Sequence, residues 1–394
     1  MTDVRLPAAA EDLVATAQIL WPAPATAALV RGARREPGER VVREFAFLPN
    51  ARHPRLIVPV GVPAAAAAAL RRYSQALGVA ERYGRAALAA VFRTGLGERL
   101  LPDRVRISVS GSAVESVEDV LAELLGEPIV VSLGLGNRRA NQKPILHAMT
   151  PRGETRAFVK VGDNDMAKTL VRGEAAALES VAALPLRLVS APVVLGLVPW
   201  NGLELLVLSP LATSPSRGRD EIPYSAITEL ASAGGVTEGR LVDSAFWESL
   251  RGSAVLDSDL ADRLLRVLDA VEQRHGQDVL QYGNWHGDFT PWNLQWRGDG
   301  IQVWDWERFA SGVPLGFDVL HYRQSLLGGV SGLAAHAAAD LGRVGVPAEL
   351  ARVTTTLYLV ELCVRYLVAS QEGTGQPLRV HANALLDHLT KEHL

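Results

Sequence analysis

The spacing of apolar positions divides the chain into three regions. Up to about residue 110, two runs rich in strand formers, REFAFLPN and RLIVPVG, precede AAAAAALRRYSQAL and AERYGRAALAAVF, where apolar side chains recur at helical spacing. Pro63 suits the opening of the first of these helices, because a first-turn residue has no intrahelical use for its N–H. Residues 1–110 therefore read as an extra α+β region, and no catalytic motif occurs in it.

Residues 111–211 change character. SVEDVLAELLG predicts a short helix whose first turn Ser116 and Glu118 suit as capping residues. The apolar strand PIVVSLGLG follows, then KPILHAMT and TRAFVKVG around the turn PRGE, the helix LVRGEAAALESVAAL, and the strands APVVLGLV and LELLVLSPL around Asn201 and Gly202. Short connections of this kind imply an antiparallel meander. From 212 to 394 the pattern is mostly helical, broken by one compact hairpin between residues 293 and 305. The most apolar helical stretch, TTTLYLVELCVRYLVAS, carries Glu361 and Arg365 four apart, which marks a core helix and not a membrane span.

Composition narrows the class. With 48% hydrophobic and 21% charged residues the chain fits a folded globular protein, and 394 residues exceed one ordinary core. The net charge of −3 gives no electrostatic case for nucleic acid. Its distribution is uneven: from residue 212 onward, 23 acidic residues face 15 basic ones. The N-terminus lacks the basic start and apolar stretch of a signal peptide, and the one cysteine, Cys363, has no disulfide partner, so a cytoplasmic location is expected.

The chemistry concentrates in NWHGDFTPWNLQWRGDGIQVWDWERF, from Asn284 to Phe309. Asp288 precedes Asn293 by five, the spacing at which a kinase catalytic loop places the acid that orients an attacking hydroxyl and the amide that helps hold a metal. A turn centred on Asp299 pairs Asn293 directly with Asp305, about 5 Å apart on one face of the hairpin, and an amide and a carboxylate oxygen suit magnesium. Five of the eight tryptophans, at 285, 292, 296, 304 and 306, flank these acids. Trp292 offers either a face for a sugar or cyclitol ring or simple packing.

The segments HGD at His286–Asp288, Asn293, and DWE at Asp305–Glu307 resemble the signature of aminoglycoside phosphotransferases and choline kinases. The H-R-D and D-F-G patterns of protein kinases are absent, which disfavours a protein kinase. The resemblance spans about residues 112–394. It implies an α+β, two-lobed, protein-kinase-like fold: an antiparallel-sheet N-lobe at 111–211, a mostly helical C-lobe at 212–394 with the catalytic loop and acceptor site, and residues 1–110 as an addition. It implies ATP (or GTP) and Mg2+, Asp288 as catalytic base, and Asn293 and Asp305 as metal ligands. It implies as acceptor a hydroxyl of a small polar molecule, expected near Trp292 and Glu307.

On the nucleotide side, Lys160 stands in an otherwise apolar strand, where it can reach solvent at an edge or meet phosphates. By resemblance its partner is Glu174, with Glu179 the rival five positions on. Gly134 and Gly136, with Asn137 and Asn141, fit either a phosphate-covering loop or an ordinary turn. Leu208, Ser209 and Leu211 occupy the place of the hinge that receives the adenine edge. Asp318 either buttresses the catalytic loop, as the resemblance implies, or caps a helix. A catalytically silent kinase-like module is the rival reading, disfavoured because base and metal ligands are all present. Nothing in the sequence bears on oligomeric state.

Overall fold

A computed structural model of the protein describes residues 8–32, 39–71, 79–97, 101–111, 115–134, 144–211, 221–253, 260–369 and 375–393. The chain divides into two compact units, Met1–Ala175 with Pro192–Thr213, and Ala176–Ala191 with Ser214–Leu394.

In the first unit α1 (Ala8–Leu20), β1 (Ala25–Arg31), β2 (Arg40–Leu48), β3 (Leu56–Pro59), α2 (Pro63–Leu70), α3 (Val79–Arg93) and β4 (Asp103–Val109) precede α4 (Val117–Leu125). β5 (Val130–Gly134), β6 (Ile145–Met149) and β7 (Thr155–Gly162) follow, then α5 (Asp165–Ala182), which ends in the second unit. After the two-residue β8 (Val189–Ser190) come β9 (Val194–Trp200) and β10 (Leu203–Leu208). The strands other than β8 form one antiparallel sheet in the order β1-β4-β2-β3-β5-β6-β7-β10-β9.

Strand alternation gives this sheet two apolar faces. Phe45 and Phe47 of β2 join Val131, Val159 and Leu205 in a core with α1 and α4, whereas Ala46 and Leu48 join Val130, Met149 and the alanines of α2 in another. The strands before residue 110 thus share a sheet and both cores with those after it. Ser116 caps α4 in a capping box whose acidic partner is Asp119 and not Glu118. Glu118 instead turns inward, where it pairs with Arg43 and accepts from the Val131 N–H at 3.0 Å, its pKa raised by burial. A carboxylate three residues after the cap reaches back to it, and one two residues after does not.

The second unit holds α6 (Tyr224–Ser232), β11 (Thr237–Arg240), α7 (Ala245–Ser253), α8 (Ala261–His275) and β12 (Val279–Trp285). β13 (Leu294–Arg297), β14 (Gly300–Val303), β15 (Ala310–Pro314), α9 (Phe317–Leu327), α10 (Leu333–Arg343), α11 (Ala351–Ala369) and α12 (Gly375–His393) complete it. The expected single hairpin is joined by a second sheet, β11-β12-β15, and by β8, which lies parallel to β14. α11 is a buried helix with the Glu361–Arg365 pair at 3.6 Å. Among the described residues no helix is long and apolar enough to cross a membrane.

Candidate active site

In the second unit the chain leaves β12 at Trp285, makes the loop His286–Asn293, runs through the β13–β14 hairpin, and returns along β15 into α9. The hairpin register corrects the sequence reading. Leu294 pairs with Val303 and Arg297 with Gly300, so the turn is the two residues Gly298 and Asp299. Asn293 therefore stands opposite Trp304, whose N–H donates to the Asn293 carbonyl at 3.0 Å, and not opposite Asp305. The reason lies outside the hairpin: the Leu188 carbonyl comes so close to Gly300 that a Cβ there would lie 2.6 Å from it, and it accepts from Ile301 N–H at 2.7 Å. Gly300 is consumed as a strand residue, while Gly298 supplies the turn with φ +58°.

A one-residue slip ordinarily reverses the face of a strand residue. Asp305 escapes that rule because it lies beyond the ladder with φ +72°. It is one of two non-glycine residues with positive φ among those described; the other, Asn201, is accounted for by the Asn-Gly turn between β9 and β10. A left-handed backbone outside a tight hairpin turn makes Asp305 a candidate for a functional position.

The backbone of the loop His286–Asn293 is gripped from three sides. Asp318, in the first turn of α9, accepts from His286 N–H at 2.7 Å and Gly287 N–H at 3.1 Å. Arg365 of α11 donates to the Gly287 carbonyl at 2.6 Å and lies over the Trp285 ring. Gly287 has φ +81°, and a Cβ there would sit 2.5 Å from the Arg308 carbonyl, so only glycine fits. His286 accepts from Asp288 N–H at Nδ1 (3.2 Å), which leaves Nε2 to donate to the Trp304 carbonyl at 3.2 Å. Burial pushes its pKa down to about 4 against the pull of Asp288 and Asp305, so it is a neutral tie between loop and hairpin exit.

Within this frame Asp288 Oδ2 accepts from Asn293 Nδ2 at 2.8 Å, and Oδ1 is 3.1 Å from His321 Nε2. Burial alone would raise the Asp288 pKa; the His321 hydrogen bond, the charges that His321 and His286 carry once acid protonates them, and the Arg308 charge outweigh it and hold the carboxyl well below the usual range. Asn293 spends its amide nitrogen on Asp288, including the backbone carbonyl at 3.1 Å, which leaves Oδ1 as its side-chain acceptor. An amide oxygen and the Asp305 carboxylate suit a hard cation. Trp292 lies in the turn before β13, 41% exposed, and Glu307 is half-buried after Asp305.

In the first unit, Lys160 of β7 and Glu174 of α5 meet, with Nζ 2.7 and 2.6 Å from the two carboxylate oxygens and Glu174 fully buried. Glu179 is exposed. Gly134 ends β5; Gly136, Asn137 and Asn141 lie outside the described residues. Leu208 closes β10, and the Ser209 N–H donates to the Val193 carbonyl at 2.8 Å, extending the β9–β10 pairing. Leu211 follows Pro210 in irregular chain. Cys363 is buried with its thiol pushed up to about 12, which excludes it as a neutral-pH nucleophile.

The sequence reading left out His321 and Tyr358 and gave Arg365 only as the i,i+4 partner of Glu361. For His321 the signal was present: D-x-x-H in α9 puts it one turn beyond Asp318 on the same helix face.

Asp318 also makes stability depend on pH. Burial raises its carboxyl from 3.8 to about 7 in the folded chain, against the two N–H donors. The folded state then holds a proton that the unfolded state has released, so this contribution is fully present below about pH 4 and is lost as pH rises through 7. Between pH 5 and 8 the loss amounts to at most about 3 kcal/mol. His286 and His321, whose pKa values burial lowers, add stability in the opposite sense over the same interval, so the difference is the test: the urea midpoint of the natural chain is expected to fall between pH 5 and 8 relative to that of Asp318→Asn measured at each pH.

No protein-family model matches the chain, and no curated protein matches it. Solved structures of similar fold include a thermostable mutant of aminoglycoside phosphotransferase APH(4)-Ia, at 13% identity over 69% of this chain and 99% of that one, with TM-score 0.48. A choline/ethanolamine kinase family protein from Mesorhizobium loti gives 13% identity over 68% and 88%, TM-score 0.43. Macrolide 2'-phosphotransferase MphH from Brachybacterium faecium gives 16% over 68% and 95%, TM-score 0.43.

Proposed function

We propose that the chain transfers the γ-phosphoryl group of a nucleoside triphosphate, ATP or GTP, to a hydroxyl of a small polar molecule, and that its two units are the lobes of a kinase-like fold. The observation that carries this reading is the pinned Asp288: a carboxylate on a backbone loop held by Asp318 and Arg365, bonded to the amide of Asn293 five residues on. Phosphoryl transfer asks a protein mainly for positioning and for compensation of charge.

Asp288 orients the acceptor hydroxyl and takes its proton. With its basicity depressed, it does so late, as the oxygen–phosphorus bond forms. Asn293 Oδ1 and the Asp305 carboxylate would hold magnesium, which supplies counter-charge to the phosphates. Lys160, fixed by Glu174, contributes the fixed cation on the nucleotide phosphates. Of the hinge segment Leu208–Leu211, the Ser209 N–H is engaged and Pro210 has none, so Leu211 N–H and the carbonyls serve the base edge. Gly134, the last residue of β5, offers its backbone to the nucleotide phosphates.

The acceptor carries few positive charges. After residue 310 seven acidic residues face six basic ones, so the C-terminal helices lack the carboxylate surplus that several ammonium groups need when they leave water. A sugar-like or singly charged aminosugar-like hydroxyl compound fits, with Trp292 against its ring and Glu307 as a hydrogen-bond acceptor. Nucleotide consumption over sugars, aminosugars, aminocyclitols and hydroxylated antibiotics, with ATP and GTP, tests the assignment. The expected hit has a KM that changes little with salt. A tetracationic aminoglycoside whose KM rises steeply with salt would reverse the acceptor choice, and no turnover with any hydroxyl compound would overturn the kinase reading.

A further inference from the structure

We propose that His321 is the positioning residue of this site: as the Nε2–H tautomer it donates to Asp288 Oδ1 and, anchored at Nδ1 by Tyr358, holds the carboxylate in one rotamer. The inference rests on the reading of Asp288 as base. A carboxylate turns readily about its Cβ–Cγ bond, because that torsion is broad and two-fold. Asn293 grips only Oδ2. His321, 3.1 Å from Oδ1, supplies the second point that stops the turn. Each carboxylate oxygen has two lone-pair directions, so both donors together leave room for an acceptor hydroxyl.

The proton count selects the tautomer. His321 Nδ1 is 3.0 Å from the Tyr358 hydroxyl, which also meets the Gln324 side-chain amide. If Tyr358 donates to Gln324, Nδ1 must carry a proton, and Nε2 can then face an ionised carboxylate only in a doubly protonated ring. Burial pushes the His321 pKa down and opposes that form, although Asp288 pulls the other way. Turning the Gln324 amide over, which leaves its outline unchanged, resolves the count. Gln324 then donates to the Tyr358 oxygen, Tyr358 donates to Nδ1, and the Nε2–H donates to Asp288. Tyr358 is buried in α11 and Gln324 lies one turn beyond His321 in α9, so the chain of bonds ends on rigid helices.

Two measurements on the full chain test this. In protein labelled with 15N-histidine, the His321 ring, assigned by its absence from His321→Gln, is expected to show a protonated Nε2 and a bare Nδ1 at neutral pH; a bare Nε2 overturns the proposal. Kinetics of Mg·ATP consumption, with the acceptor found by screening or with water, give the second. His321→Leu is expected to lose roughly 10- to 100-fold in kcat, as misplaced catalytic groups do. Its KM for ATP should stay within about two-fold, because nucleotide binding is untouched. His321→Gln, whose amide nitrogen can stand where Nε2 stood, should recover most of the loss. Tyr358→Phe, of nearly unchanged volume, should fall between and serves if the leucine variant does not fold. Wild-type kcat in His321→Leu or Tyr358→Phe overturns the proposal. If Asp288→Asn is inactive while these variants are not, only the positioning role fails; if Asp288→Asn itself turns over normally, the base assignment fails.

Discussion

Asp288→Asn is expected to fold, to bind nucleotide as the natural chain does, and to lose about 10² to 10⁴-fold in turnover, the range that a positioned general base contributes. The structure gives reasons for each part. Backbone contacts that shape the loop come from Asp318, Arg365 and His286, none of which needs the Asp288 carboxylate. The substitution keeps side-chain volume, and the new amide can still accept from Asn293 with its oxygen. Its nitrogen would then face His321, which can answer by moving its own proton to Nδ1 and accepting. What cannot be restored is a second anionic oxygen toward the acceptor hydroxyl. Steady-state nucleotide consumption, paired with calorimetry of Mg·ADP binding, separates the two effects. Normal turnover by a folded variant would refute the assignment, and loss of nucleotide binding would show that Asp288 holds the loop instead.

How much of this could be read beforehand follows from the range of each signal. The meander β5–β7 with β9–β10 was legible because turns such as Pro151–Glu154 and Asn201–Gly202 lie between alternating apolar runs. The approach of Lys160 to Glu174 needed only one strand, one helix and the resemblance. The hairpin was legible but its register was not, since the Leu188 carbonyl that claims Gly300 comes from more than 100 residues earlier in the chain. β11 is four residues, three of them exposed, and β15 contains Gly312 and ends in Pro314, so neither shows an apolar period. Arg365 meets the loop across 78 residues, whereas the sequence shows it only as the i,i+4 partner of Glu361 on a core helix. Local periodicity and turn chemistry survive in a sequence. Contacts made by distant elements do not announce themselves there.

Asp305→Ala is expected to remove the magnesium dependence of nucleotide binding, a loss of about 100-fold or more, because even residues behind a metal ligand typically contribute 10- to 100-fold. The substitution takes away the carboxylate, whereas Asn293 offers a neutral oxygen that holds Mg2+ weakly by itself. Alanine tolerates the left-handed backbone at this position less well than aspartate, so a small loss of stability accompanies it. Asp305→Asn controls for that, since asparagine accepts φ +72° and removes only the charge. Lys160→Ala should behave differently: magnesium still strengthens binding, but turnover falls because the fixed cation is gone. It also strands the buried Glu174 carboxylate, and breaking a buried pair this way costs about 3–5 kcal/mol, so Lys160→Met with Glu174→Gln is the fairer comparison. Calorimetry of ADP with and without Mg2+ reads all four variants. If Asp305→Ala and Asp305→Asn both bind Mg·ADP as tightly as the natural chain, Asp305 is not a metal ligand, and its strained backbone requires another explanation.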